Sequence, residues 1–344
     1  MQTNSGLPLV SRAYVVPARA PLGRRTIDPA LRGRLTPSAQ DATVRVQPSV
    51  VRPRPTATAA SNSSRATARR TVSNDAAPIR IRLSYEGQQA TLQGAGGIQI
   101  PGKTAAYGTL RVQKEFDTCI AYDGPTVIAR GIVQMQGVAD PITISSWQQT
   151  HNRFRGIIEC RVIDDQLVLI NELPLEEYLA GLAEEPDTEP YEKQRAFAVA
   201  ARSYAAHYME STNRKFPGMP YDGDDSPARF QKYGGVAFEE AHPGWVRAVR
   251  STADIVVKKD GKIVKTAYFS SDDGRTRAPS EIGWGNYPFA EVFASKPDPW
   301  CNGMPMNGHG VGMSGCGSKG QALEGKTGEQ ILQYYYPGTL LTPR

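Results

Sequence analysis

From Ile79 the chain alternates apolar and polar positions. IRIRLSY (79–85) puts Ile79, Ile81 and Leu83 on one face, the period of a half-buried strand. GAGGIQIPG, YGTLRVQ, CIAYDG, PTVIARGIVQMQG and PITISSW continue as short segments broken by Gly and Pro, so residues 79–150 are predicted to be β-rich. RFRGIIECRVIDDQLVLINELPL (153–175) predicts two strands, with Asp164–Asp165 in the turn between them.

The period then changes. In LEEYLAGLAEE (175–185), Leu175, Tyr178, Leu179 and Leu182 recur at helical spacing, which predicts a helix ending at Glu184–Glu185, just before Pro186. Pro190 opens a second, longer helix over 190–212, as proline suits a first helical turn. Phe197, Ala201, Tyr204 and Tyr208 fall on one of its faces. A Gly/Asp/Pro loop (217–227), an amphipathic segment (238–252) and strands over 254–271 follow, with a hairpin turn at Asp260–Gly261. TGEQILQYYYPG (327–338) reads as a closing helix with a Thr327/Gln330 capping box and a Pro337–Gly338 stop. A β-rich portion followed by mixed elements predicts an α+β fold.

Composition divides the chain. Residues 1–78 hold twelve arginines, no lysine and three acids, a balance of about +9, while the remainder carries about −3. With Tyr14 its only aromatic, that segment is expected to be a disordered, solvated Arg/Pro/Ser/Ala-rich tail or linker. It shows no apolar export signal. No run of eighteen apolar residues exists. The basic charge is confined to the tail and the body has no matching basic motif, so nucleic-acid binding is not expected.

NGHGVGMSGCGSKG (307–320) holds six glycines, which need a reason because glycine costs chain entropy. Lys319 is out of register for a phosphate loop, and GMSGCG fails the nucleophile-elbow spacing. His309 and Cys316 alone make a poor metal set. What remains is a tight backbone loop packed against something large and polar, with His309 pointing into it, or glycines needed merely for turns. In YFSSDDGRT (268–276), Asp272 and Asp273 read as turn residues or as catalytic acids. Trp284, Tyr287 and Phe289 in GWGNYPF read as a sugar platform or as core. Glu184 and Glu185 at a helix C-terminus would have raised pKa values through the dipole and desolvation, as a general acid needs.

Taken together, INELPLEEYLAGLAEEP, EKQRAFAVAARSYAAHY, YFSSDDGRT, GWG…YPF and GHGVGMSGCG resemble, in order, the stage II sporulation protein D / LytB amidase-enhancer family. The resemblance covers roughly residues 150–340 and implies one such domain over 79–344, β-rich over 79–150. It implies a peptidoglycan lytic transglycosylase, exported or envelope-associated. The alternative is a non-catalytic, LytB-like binder of peptidoglycan that enhances an amidase. The family's E-x-P glutamate falls on Glu184, with Glu185 as the alternative. Arg202, Tyr268, Ser270, Ser271, Arg275, Trp284, His309 and Ser314 would bind substrate. Partners would be glycan strands and a cell-wall amidase or other hydrolase. No cofactor is expected, and no zinc, because the loop FPGMPYDGDDSPARFQKYGG lacks His and Cys. Two departures stand out: Asp273–Gly274 replaces the family's glycine pair, and Gly315 replaces a glutamine. The four cysteines fit two disulfides or four buried thiols, with Cys119–Cys160 and Cys301–Cys316 as candidate pairs.

Overall fold

The computed structural model describes residues 77–344; the expected tail falls almost wholly outside them. The fold is α+β. Its β-rich part consists of β1 (Ile79–Arg82), β2 (Gln89–Gln99), β3 (Ala106–Glu115), β4 (Thr118–Asp123), β5 (Thr126–Gly131), β6 (Val133–Gly137), β7 (Ile142–Ile144), β8 (Arg153–Phe154), β9 (Ile157–Ile163) and β10 (Gln166–Leu173). With β11 (Gly223–Asp224) they form one sheet in the order β11-β1-β10-β9-β6-β2-β3-β4-β5, with β7 and β8 branching from β2. Every pairing in it is antiparallel except β1 with β11. The alternation in β1 buries Ile79 and Ile81 completely. The β9–β10 turn falls on Asp164 and Asp165, at φ 49° and 61°, as a two-residue hairpin of the primed type requires. Asp260 and Gly261, at φ 49° and 75°, turn β12 (Ile255–Lys259) into β13 (Lys262–Ile263) in the same way. Both cysteine pairs are disulfides, Cys119–Cys160 and Cys301–Cys316, with Cα atoms 6.1 and 5.5 Å apart.

The helical part departs from the sequence reading in three places. The first helix, α1 (Leu175–Ala180), stops at Gly181 and does not run to Glu185. A Cβ on Gly181 would lie 2.8 Å from the Tyr233 ring and 3.0 Å from Gly235. The backbone there leaves the helix to pair with 232–234: Ala183 N–H donates to Lys232 O and Gly234 N–H to Gly181 O. Second, α2 (Tyr191–Met209) is buried nearly all round rather than along one face. Its alanines let the helices over 243–251 and 328–335, and β12, close on it from other sides, as a central helix demands. Third, the amphipathic segment is two helices, α3 (Gly235–Ala241) and α4 (Pro243–Ser251), broken at His242–Pro243.

Downstream, β14 (Tyr268–Phe269) pairs in parallel with β15 (Met313–Ser314). Helix α5 (Gly315–Leu323) begins inside the glycine-rich stretch. Helix α6 (Gly328–Tyr335) starts on the expected Thr327/Gln330 capping box, and β16 (Leu340–Pro343) returns to β12. One apolar cluster runs from the large sheet through α2 to α6.

Candidate active site

A groove of about 1020 Å³ opens beside α2. Its walls come from the segment after α1, from α2, β14, the Trp284 loop and the glycine-rich stretch with α5. Glu184, Glu185, Tyr268, Ser270, Ser271, Trp284 and His309 all line it, so seven of the residues singled out in the sequence meet in one place.

Glu184 sits where the chain has left α1, so no helix dipole acts on it as expected. Its carboxylate is held at both oxygens. Oε1 accepts from the Lys232 N–H at 2.9 Å and Oε2 from the Tyr268 hydroxyl at 2.7 Å. Desolvation nevertheless pushes its pKa above the usual carboxylate value, against those two hydrogen bonds. The Tyr268 hydroxyl accepts in turn from Gln231 Nε2 at 2.8 Å, and Gln231 Oε1 accepts from the Tyr178 hydroxyl at 3.0 Å. This buried chain fixes the direction of the phenol.

Glu185 is 4% exposed, and burial pushes its pKa up to about 7. Lys193 Nζ approaches it at 3.0 Å and Glu189 at 3.1 Å, and Lys319 reaches Glu189 at 3.2 Å. Of the three groove carboxyls, Glu184 is the one with no cation within salt-bridge distance among the described residues.

His309 packs its ring 4.7 Å from Trp284 and 5.7 Å from Phe269. Its Nδ1 accepts from the Val311 N–H at 3.0 Å, which leaves the proton on Nε2. Burial pulls its pKa down to about 4, so it stays neutral at pH 7. Trp284 lies parallel to Tyr287 at 5.2 Å between centroids, presenting a flat apolar face. Ser270 is exposed, whereas the Ser271 hydroxyl is engaged with Pro305 O at 2.8 Å.

Three expected substrate ligands are elsewhere. Arg202 is completely buried and forks onto Glu176 with two bonds of 2.7 Å. It faces away from the groove because its position on α2 points between α1 and α4. Ser314 is buried as the N-cap of α5, accepting from the Gly317 N–H at 2.9 Å and donating to Asp298. Arg275 lies on the surface with Glu281 and Ser295 at 2.8 and 2.9 Å. Neither aspartate of YFSSDDGRT enters the groove either: Asp272 is fully buried, accepting from the Gly274 N–H, and Asp273 pairs with Arg277.

The glycines do form part of a wall, but their missing Cβ atoms mostly serve the inner side. A Cβ on Gly312 (φ 83°) would lie 2.0 Å from Ala267 O, and one on Gly317 2.0 Å from the Tyr335 hydroxyl. Sequence reasoning missed Gln231, Lys215, Lys265 and Trp300. The polar residues carry no local pattern, and only the AYFSS stretch next to Lys265 offered a signal.

Residues 164–258 match the family model SpoIID, stage II sporulation protein. Over that stretch the chain is similar to the SpoIID family. The match begins in the β9–β10 turn and ends in β12, so it includes Glu184 and Arg202 and stops short of Tyr268 and His309. An uncharacterized protein of Brachyspira hyodysenteriae is 28% identical over 153 residues, 42% of this chain and 39% of the relative. The chain thus spans about two fifths of that relative's length.

Proposed function

We propose that this chain is a peptidoglycan lytic transglycosylase in which Glu184 is both general acid and general base. The observation that carries this reading is the state of the groove's carboxyls. Glu184 has a raised pKa and no counter-ion, while Glu185 and Glu189 share Lys193. A hydrolase working through two carboxyls needs a second one facing the first across the bond; Asp272 and Asp273 lie outside the groove lining. A transglycosylase needs one. Protonated Glu184 gives its proton to the glycosidic oxygen leaving the muramic anomeric carbon. As carboxylate it takes the proton of the muramic 6-hydroxyl, which closes on that carbon as a 1,6-anhydro ring. The Tyr268 hydroxyl and Lys232 N–H hold the carboxylate formed between the two steps. Trp284 offers a face for a sugar ring, and the His309 Nε2–H a donor.

Export fits this reading, because disulfides persist in oxidising compartments. No described helix is long and apolar enough to cross a membrane.

The test is mass spectrometry of purified glycan strands incubated with the protein and with Glu184→Gln. Anhydro-muramic ends from the wild type alone are expected. Reducing ends would point to hydrolysis instead. Glycan retained without cleavage, together with stimulation of an amidase by both proteins, would favour the enhancer.

A further inference from the structure

At one side of the groove two lysines stand without a counter-ion. Lys215 Nζ lies over the rings of Tyr204, Tyr208 and Phe230, at 5.5, 5.3 and 5.9 Å from their centroids. Lys265 Nζ lies over Tyr208 and Tyr287, at 5.6 and 4.5 Å. Both lysines line the groove. Lys215 donates to the Tyr204 hydroxyl at 2.8 Å, one of its three possible donations. Among the described residues no carboxylate is within salt-bridge distance of either ammonium. Asp224, the acid whose charge reaches Lys215, is taken by Arg229 at 2.8 Å. The other groove lysines, Lys193 and Lys319, are occupied by Glu185 and Glu189.

We propose that Lys215 and Lys265 form an anion subsite that receives a carboxylate carried by the muramic residue of the glycan. The inference rests on the reading of the groove as a glycan site. A glycan of alternating N-acetylglucosamine and N-acetylmuramic acid has an uncharged sugar backbone. Its negative charge sits on the muramic 3-O-lactyl group, or on the stem peptide attached there. A carboxylate set between two ammonium groups makes charge-assisted hydrogen bonds with both, and the surrounding rings take apolar C–H faces. Two like charges held close and partly desolvated disfavour each other; burial and Lys265 pull the Lys215 pKa down to about 8. A bound carboxylate relieves that repulsion. The subsite adjoins the reacting centre: Tyr204 packs edge-on to Tyr268 at 6.1 Å, and Tyr268 donates to Glu184. Holding the carboxylate there would fix which sugar of the repeat presents its anomeric carbon to Glu184.

The test is equilibrium binding in a Glu184→Gln background, so that no strand is cut. The probes are peptide-free glycan strands, the same strands with carboxyls converted to methylamides, strands bearing stem peptides, and neutral chito-oligosaccharides. Lys215→Gln and Lys265→Gln should each weaken binding of the peptide-free acidic strands about tenfold, the size of one charge-assisted hydrogen bond. They should leave chito-oligosaccharide binding unchanged, which also shows the groove intact. Lys215→Arg should retain affinity, and methylamidation should lower the parent's affinity to the variants' level. Lysine dependence on peptide-free strands assigns the lactyl carboxylate; dependence confined to peptide-bearing strands assigns one in the stem. Equal affinity of parent and variants for both peptide-free and peptide-bearing strands, or equal losses on acidic and neutral glycans, overturns the subsite. A parent that binds none of the probes overturns the glycan reading itself.

Discussion

Arg202→Met is the substitution for which the structure gives the firmest magnitude. The guanidinium is fully buried at the centre of four elements. It forks onto Glu176 of α1 and donates to Val249 O of α4 at 3.1 Å and to Ile255 O of β12 at 3.2 Å. It also reaches back to Ala198 O in its own helix at 3.4 Å. Methionine keeps most of the volume and removes every donor. Breaking one side of a buried ion pair costs about 3–5 kcal/mol. Val249 O keeps the Thr252 N–H and hydroxyl as donors, but Ile255 O loses its Arg202 donor, worth about 1–3 kcal/mol if left dry, which makes that range a floor. For a domain of this size it corresponds to a fall in Tm of roughly 6–20 °C. Removing both charges in Arg202→Met/Glu176→Met should recover the ionic part but not the carbonyl part, leaving a loss of about 1–3 kcal/mol. Urea unfolding followed by fluorescence and circular dichroism measures both. Glycan affinity, measured well below the transition, should stay at the wild-type value, because Arg202 does not reach the groove. A loss under about 1 kcal/mol in the single variant, or a double variant no more stable than the single one, would refute the reasoning. A selective loss of glycan affinity would return Arg202 to the substrate.

Three further outcomes are expected. Tyr268→Phe removes a hydrogen bond that favours the ionised form of Glu184; the alkaline limb of the cleavage profile, where the general acid loses its proton, should move to higher pH. Glu185 binds its proton more tightly folded than unfolded, so its burial should cost stability as pH rises from about 4.5 to about 7. The cost is at most about 3 kcal/mol, and Glu185→Gln should flatten that part of a Tm-against-pH curve. Gly312→Ala forces a Cβ onto Ala267 O at φ 83° and should destabilise by more than about 2 kcal/mol, whereas Gly285→Ala meets nothing within 4 Å and should lie within about 0.5 kcal/mol of wild type; thermal unfolding of the pair checks this.

The sequence by itself determined what depends on neighbours along the chain. Alternation in 79–85, the aspartate turns at 164–165 and 260–261, and the Thr327/Gln330 cap rest on backbone geometry within a few residues, and each stands as expected. So does the gathering of Glu184, Tyr268, Trp284 and His309, which the ordered motifs implied before any contact was visible. Tertiary structure decided what depends on partners far away in sequence. Gly181 ends α1 because Tyr233 and Gly235 come too close, which takes Glu184 off the helix and puts Lys232 on its oxygen. Arg202 is a buried tie and not a ligand because α1 and α4 close over its side of α2. Gln231 aims the phenol, and Lys215 shares the Tyr208 ring with Lys265, only because a loop after α2 folds over its aromatic face. Nothing in local spacing encodes such contacts, since burial and charge pairing are set by which surfaces the folded chain brings together.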